Sequence, residues 1–411
     1  MYNNKHKLSD WEWALLVLLA IALPLSEALK NIASVIFLVV WLGAFHKDSQ
    51  ARWFMGKWDW IFTLFIGSAT ISTLLAFDFG HNWMMWGDTL LAVSLAWTLA
   101  HSSLQDRQIH WLLAAIILST LVATLVGLWQ WQISHEKTFF ELNSVGYFNQ
   151  SAMYLGMVAA LTAWSSIILY NKINRYLFAG LCVITVLFSC VMLWGESRGG
   201  MLAFFLTLVF LVSFFLYNRR INLKKIGFWN LAIVLIFSLF LAINPHLIEK
   251  SIEKSQEPGG VSSGRGIIAE VSLEVFKHYP FFGIGVANHE KVSHETMAHW
   301  RGEDEVLWQQ LYPKNFHPHN LYLGTLAERG LVGVVILIIL LIAWLHLVFA
   351  TGRRQNLTTT QWLVWGFGSS VLLVTLFAGF FNTPLRHENA RLAFLGLGLM
   401  LSIFYTNQRS K

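Results

Sequence analysis

The chain has 411 residues, of which 55% are hydrophobic and only 13% are charged, with 20 Trp and 31 Phe. A soluble globular domain carries about 25% charged residues, so this composition excludes a soluble fold and predicts an integral membrane protein. We attribute the formal net charge of +6 to the orientation of the chain in the membrane, and we expect no nucleic-acid surface.

Twelve apolar runs are long enough to cross about 30 Å of hydrocarbon. The predicted spans lie near 11–28, 30–45, 58–77, 82–100, 109–130, 151–170, 176–194, 200–217, 226–243, 331–350, 361–381 and 389–405. The second run is short, and Pro24 makes the extent of the first run ambiguous. The fold class is therefore an all-α membrane protein with about 12 transmembrane helices.

The distribution of basic residues predicts the orientation. Sixteen Lys and Arg fall on the side shared by both termini, and the short loops opposite carry five: Lys30, Lys137, Arg198, Arg386 and Arg391. By the positive-inside rule both termini are cytoplasmic. The first span lacks a small-residue cleavage site, so we expect it to be retained in the protein.

One polar region stands out between the ninth and tenth predicted spans. Residues 244–319 hold seven of the 15 His and ten of the 23 acidic residues, and the orientation places them outside the cytoplasm. The domain organisation is thus 1–243 with helices 1–9, 244–319 as the outer region with the chemistry, and 320–411 with helices 10–12.

Within this region an apolar stripe predicts a helix from Arg265 to His278, capped by Ser262 or Ser263 and ending before Pro280. We expect the helix to lie against the membrane domain. Arg265 in its first turn suits a phosphate or pyrophosphate, because its guanidinium and the free backbone N–H groups converge there. A pair with a nearby carboxylate is the alternative.

Three further arginines lie in predicted outer loops. Arg198 occurs in Glu196-Ser197-Arg198-Gly199-Gly200, where a basic residue opposes the charge bias and two glycines let backbone N–H groups approach an anion. A pair with Glu196 is the alternative. Arg386 and Arg391 show the same pattern more weakly, or they extend toward the interface at a helix end.

Imidazoles are concentrated where the polar region re-enters the membrane, at His317-Pro318-His319-Asn320. If this segment is helical, Gly330 and Gly333 lie on the face of His319 and leave a groove for an acyl chain or a closely packed helix. The proline should turn the two rings apart. His319 fits either a general base or a hydrogen-bonded interfacial histidine, and a metal site is disfavoured because no ligand spacing such as HExxH occurs.

Four motifs together resemble the O-antigen ligase family, over roughly residues 140–350. They are Ser197-Arg198-Gly199-Gly200, Ser263-Gly264-Arg265-Gly266, Phe282-Gly283-Ile284-Gly285, and His319-Asn320 followed by Gly330-x-x-Gly333. The resemblance implies a membrane glycosyltransferase of the GT-C-like type, without metal or cofactor, at the periplasmic face of the bacterial inner membrane. Its donor is a glycan on undecaprenyl pyrophosphate, and its acceptor is the lipid A-core oligosaccharide.

The same resemblance implies roles for individual residues. Arg198 and Arg265 hold the diphosphate, and His319 takes the proton from the acceptor hydroxyl in an inverting attack. His317, Asn320, Arg386 and Gly330 are expected to bind substrate. O-antigen polymerases and protein O-oligosaccharyltransferases share these motifs and stay open as alternatives. A polytopic transporter is disfavoured, because the His and Arg residues lie at one face instead of the midplane.

Overall fold

The computed structural model describes residues 5–47, 53, 56–76, 79–194, 197–218, 265–311 and 316–404. Helices dominate these ranges, beside one pair of two-residue strands, β1 (His6–Lys7) and β2 (Ser102–Ser103). The helices are α1 (Asp10–Ala22), α2 (Glu27–Lys47), α3 (Lys57–Leu74), α4 (Phe79–Ala100), α5 (Asp106–Gln132), α6 (Phe148–Leu169), α7 (Arg175–Trp194), α8 (Arg198–Asn218), α9 (Arg265–His278), α10 (His294–Arg301), α11 (Glu305–Leu311), α12 (Leu321–Gly352), α13 (Thr359–Ala378) and α14 (His387–Phe404).

Eleven of the predicted spans overlap helices, and the ninth, near 226–243, lies outside the described residues. Seven helices in the described ranges are long and apolar enough to cross a membrane, namely α2, α5, α6, α7, α8, α12 and α13. The chain is therefore an all-α membrane protein, and the count of twelve spans stays a prediction.

The first two spans differ from the prediction in their bounds. α1 ends at Ala22 and α2 begins at Glu27, because Pro24 lies between them and cannot continue the hydrogen-bonding pattern of α1. With 13 residues, α1 is only about 20 Å long, which is too short to cross the bilayer alone. The second helix has 21 residues and is not short.

The core of the bundle is built on α6 and α13. In their most apolar stretches 78% and 83% of the residues are buried, whereas in that of α7 only 22% are buried. Trp164 of α6 donates its indole N–H to the carbonyl of Trp362 and packs on Trp365, both in α13. Polar indole groups are thus satisfied inside the bundle. The helices with exposed apolar faces, such as α7, suit contact with lipid.

The helices outside the bundle form a second, smaller core. α9 has the predicted bounds, Arg265–His278, whereas the predicted serine caps lie outside the described residues. Its buried Val271 and Val275 share a cluster with Ala327 of α12. The rest of this cluster comes from the segments that join the two helices: Ile284, Val292, Met297, Ala298, Trp308 and Phe316. The expectation that this helix lies against the membrane helices is therefore confirmed.

The start of the described chain is tied to its last helix. β1 pairs in parallel with β2, which follows α4. The buried Lys5 donates its ammonium N–H groups to the carbonyls of Leu401 and Ser402 at 2.9 and 2.6 Å. Since the final carbonyls of a helix lack partners within it, a cation at this position caps α14.

Candidate functional site

The segment from Phe316 to Asn320 is fixed immediately before α12. Asn320 caps α12, because its side-chain oxygen accepts from the backbone N–H groups of Tyr322 and Leu323, each at 2.9 Å. Its amide group donates to the carbonyl of Phe380 at 3.1 Å, and the backbone N–H of Leu321 donates to Gly379 at 2.7 Å. The segment is therefore bound to the turn that follows α13, and Asn320 acts as a cap here. Its predicted contact with substrate stays a prediction.

His317 and His319 lie side by side. Their ring centroids are 5.0 Å apart with an angle of 38° between the ring planes. The prediction that Pro318 turns the rings apart is wrong, since the segment is not helical and the two rings lie next to each other. Both imidazoles thus face the same part of the site.

A small cavity of about 20 Å³ lies beside His319. One wall is the segment itself with the first turn of α12, and the other is α9, which contributes Ile268, Ala269 and Ser272. The helix that begins at Arg265 therefore forms part of the surroundings of His319. Arg265 precedes the cavity wall by about one helical turn, since a turn takes 3.6 residues; its own side chain lies outside the described part of the chain.

His317 lies next to a cluster of charged side chains formed by Glu290, Arg386 and Glu328. Nε2 of His317 is 3.2 Å from a carboxylate oxygen of Glu290, and that oxygen is 3.9 Å from the guanidinium of Arg386. Arg386 also forms a salt bridge with Glu328 of α12. Arg386 was predicted to bind substrate, and the structure surrounds it with two carboxylates. Glu328 is thus connected to the histidine pair through Arg386 and Glu290.

His289 contacts the segment from Phe316 to Asn320 through the carbonyl of Phe316. It is fully buried, its Nδ1 contacts the carbonyl of Phe316 and its Nε2 is 2.8 Å from the hydroxyl of Ser272. A carbonyl only accepts, so Nδ1 carries the proton, and Nε2 faces the hydroxyl of Ser272, which also donates to the carbonyl of Ile268 at 2.8 Å. Burial lowers the pKa of His289, which keeps it neutral. His289 thus connects α9 to the residue that precedes His317.

The groove predicted along Gly330 and Gly333 is filled by the chain itself. α12 begins only after Asn320, and Gly330 interrupts it with φ 61° and ψ −164°. The backbone N–H groups of Leu331 and Val332 donate to Pro280 and Phe281 at 2.8 and 3.2 Å. A Cβ on Gly330 would collide with the backbone of Phe281. Gly330 therefore holds this close backbone approach and leaves no open face for an acyl chain.

The Gly-x-Gly of Phe282-Gly283-Ile284-Gly285 completes the same contact. The N–H groups of Ile284 and Gly285 donate to the carbonyls of Ala327 and Glu328, each at 3.0 Å. A Cβ on Gly283, with φ +68°, would collide with the backbone of α12 at Glu328. These glycines therefore serve packing of this segment on the kinked helix.

Arg198 lies at the same end of the bundle as the histidines. It is the first residue of α8 and exposed, so the tight loop predicted around it is a helix start. Ser197 donates to the side chain of Asn149 at 3.0 Å, and Gly199 packs against Phe381. The turn at 379–381 thus contacts both the start of α8 and Asn320. Glu196, the predicted partner, lies outside the described residues.

Several charged groups near this end were not predicted as partners. Arg391 is 1% exposed and donates to Asp88 of α4 at 2.7 Å, which excludes an extended position toward the interface. Asp88 also lies 3.3 Å from His387, and Lys30 of α2 pairs with Glu388. Arg329 is buried in α12 and donates to Phe65 and Ser68 of α3. A buried charge in a membrane helix is unfavourable unless it is paired. These contacts therefore hold the helices around the site in position.

His317, His319 and the start of α8 thus lie at one end of the bundle, with the small cavity beside His319. Within the described ranges no three His, Cys, Asp or Glu side chains are placed to hold a metal ion. Metal-independent chemistry stays a prediction.

Comparison with known protein families gives a match. Residues 183–338 match the family model described as O-antigen ligase. The matched range includes the start of α8, all of α9, both histidines and the kink of α12. No curated protein matches the chain. The resemblance predicted from the motifs is confirmed by this match.

Proposed function

Because residues 183–338 match the family model described as O-antigen ligase, we propose that the chain is an O-antigen ligase of the bacterial inner membrane. It transfers a glycan from undecaprenyl pyrophosphate to the lipid A-core oligosaccharide at the periplasmic face. The observation that carries the proposal is the position of His319, which faces a cavity shared with α9 within the matched range.

The reaction joins the anomeric carbon of the donor glycan to a hydroxyl oxygen of the acceptor and breaks its bond to the diphosphate. The electron pair leaves with undecaprenyl pyrophosphate, and His319 takes the hydroxyl proton. Attack opposite the leaving group inverts the anomeric centre. Each step is thus balanced without a redox partner or a metal.

Arg198 and Arg265 hold the diphosphate in this mechanism. Both are first residues of helices, α8 and α9, where unpaired backbone N–H groups and the helix dipole favour an anion. A guanidinium offers paired N–H donors that match two phosphate oxygens. The two arginines therefore neutralise the charge that develops on the leaving group.

Lipopolysaccharide from a deletion strain tests the proposal. Loss of a ligase removes the whole O-antigen ladder from the core, whereas loss of a polymerase leaves core plus one repeat. A protein O-oligosaccharyltransferase or an unrelated transporter changes neither pattern. An intact ladder in the deletion strain would therefore contradict the ligase proposal.

Complementation of that strain tests His319. His319→Ala should insert into the membrane at the wild-type level and give no ladder, because proton transfer by a positioned base contributes about 100-fold to 10,000-fold in rate. His299→Ala is the matched control, since His299 is exposed on α10. A full ladder from His319→Ala, at equal protein level, would remove the base from the mechanism.

A further inference from the structure

Glu290 and His317 form a pair whose geometry defines which ring nitrogen of His317 is open. Nε2 of His317 is 3.2 Å from the carboxylate of Glu290. A carboxylate only accepts hydrogen bonds, so Nε2 carries the proton. In a neutral imidazole the other nitrogen then presents a lone pair. Nδ1 of His317 is therefore an acceptor.

The charge state of His317 supports this assignment. Burial, and then the positive charge of Arg386, lower the pKa of His317 to about 3. The nearby imidazoles of His319, His289 and His387 act in the same direction. His317 is thus neutral at pH 7, and its lone pair is available.

The lone pair on Nδ1 has no partner within the described chain. The atom is buried, and no described donor lies within hydrogen-bonding distance. A buried acceptor without a partner is unfavourable, so such an atom points to a ligand that completes it. The ring that carries it lies beside His319, at 5.0 Å between centroids. A ligand with a hydroxyl on each of two neighbouring carbons fits two imidazoles that lie side by side.

We propose that the Glu290–His317 pair recognises the acceptor sugar through a vicinal diol. The attacking hydroxyl faces His319, and the adjacent hydroxyl donates to Nδ1 of His317. Glu290 is a positioning residue, since it acts only through the tautomer and orientation of His317. This inference rests on the proposed function and assigns the substrate class of its acceptor: a sugar with two neighbouring free hydroxyls.

Arg386 does not provide an alternative reason for the position of Glu290. The guanidinium is 3.9 Å from Glu290, which is beyond hydrogen-bonding distance, and it pairs directly with Glu328. Replacing Glu290 therefore leaves Arg386 with a partner. An effect of Glu290 on the acceptor then reports on His317.

Transfer kinetics with the purified full-length protein test the pair. The donor is undecaprenyl-diphosphate-linked glycan, and the acceptor is lipopolysaccharide from the deletion strain, which carries the core without O-antigen. Glu290→Ala and His317→Ala should each raise the acceptor KM about tenfold, the worth of one hydrogen bond of about 1.4 kcal/mol. The donor KM should not change. Glu290→Gln should recover part of the loss, because its amide oxygen accepts the same hydrogen bond.

Glu295→Ala is the matched control, since Glu295 is exposed on α10, five residues along the chain. A wild-type acceptor KM in Glu290→Ala, or an equal rise in the donor KM, overturns the inference while the proposed function stands. If Glu290→Ala does not accumulate, His317→Ala carries the same test. A wild-type protein that transfers no glycan overturns both.

Discussion

Replacing Gly330 by alanine should destabilise the protein, because two independent features of the structure require glycine there. The backbone has φ 61° and ψ −164°, a region that costs a residue with a Cβ about 1–3 kcal/mol. The new Cβ would also collide with the backbone of Phe281. To relieve this collision, the backbone at Phe281 must move away from α12. This movement breaks the hydrogen bonds that Leu331 and Val332 donate to Pro280 and Phe281.

The magnitude follows from these two terms. Strain of about 2 kcal/mol and two lost hydrogen bonds of about 1 kcal/mol each lower the unfolding free energy by about 4 kcal/mol. For a chain of this length, with an unfolding entropy of about 2 cal/mol/K per residue, the Tm should fall by about 5 °C. The measurement is thermal unfolding of the purified protein in detergent.

Gly67→Ala is the matched control, because Gly67 is a helical glycine of α3 with no atom within 4 Å of an added Cβ. It should equal or slightly exceed the wild-type Tm, since alanine favours a helix by about 1 kcal/mol over glycine. If Gly330→Ala and Gly67→Ala unfold at the same temperature, the kink does not depend on glycine and the reasoning fails.

Three further outcomes are expected. Asn320→Ala loses a helix cap and the bond to Phe380, so the unfolding free energy should fall by about 2 kcal/mol; an unchanged Tm in detergent would contradict the cap. The acceptor KM should stay constant from pH 7.5 to 5.5, because the lowered pKa of His317, about 3, keeps the ring neutral over this range. The charged and titratable groups near the ring are Arg386, His319, His289, His387 and Glu290. A rise in acceptor KM with a midpoint near the ordinary histidine pKa of about 6.5 would show that His317 protonates normally. Arg265→Lys should lose most transfer activity despite the retained charge, because lysine cannot grip two phosphate oxygens at once; near wild-type turnover at equal protein level would reduce Arg265 to a general electrostatic role.

Local patterns in the sequence were sufficient for most helices. The bounds of α9 follow from the apolar stripe and from Pro280, which both act within a few residues. The apolar run near 331–350 likewise marks the part of α12 after its kink. Such features depend on neighbouring residues, so a single sequence contains them.

The site was only partly predictable, because its contacts join residues far apart in the chain. His289 and Glu290 lie in a polar stretch without a motif, and only the folded chain places them beside His317 and Phe316. The kink at Gly330 depends on hydrogen bonds between α12 and the backbone of residues 280–285, which lie much earlier in the chain. A prediction that assumed one straight helix from His319 therefore placed a groove where the chain itself lies.

The contact between Lys5 and the end of α14 has a consequence for biogenesis. Lys5 leaves the ribosome hundreds of residues before the carbonyls of Leu401 and Ser402 are made. The hydroxyl of Ser402 also donates to the carbonyl of Ser102, beside β1. These contacts therefore form only after α14 has been inserted, and a nascent chain arrested earlier leaves Lys5 without these acceptors and the carbonyl of Ser102 without the hydroxyl of Ser402. The contacts of Lys5 and Ser402 are therefore a structural difference between finished and unfinished chains on which membrane quality control can act.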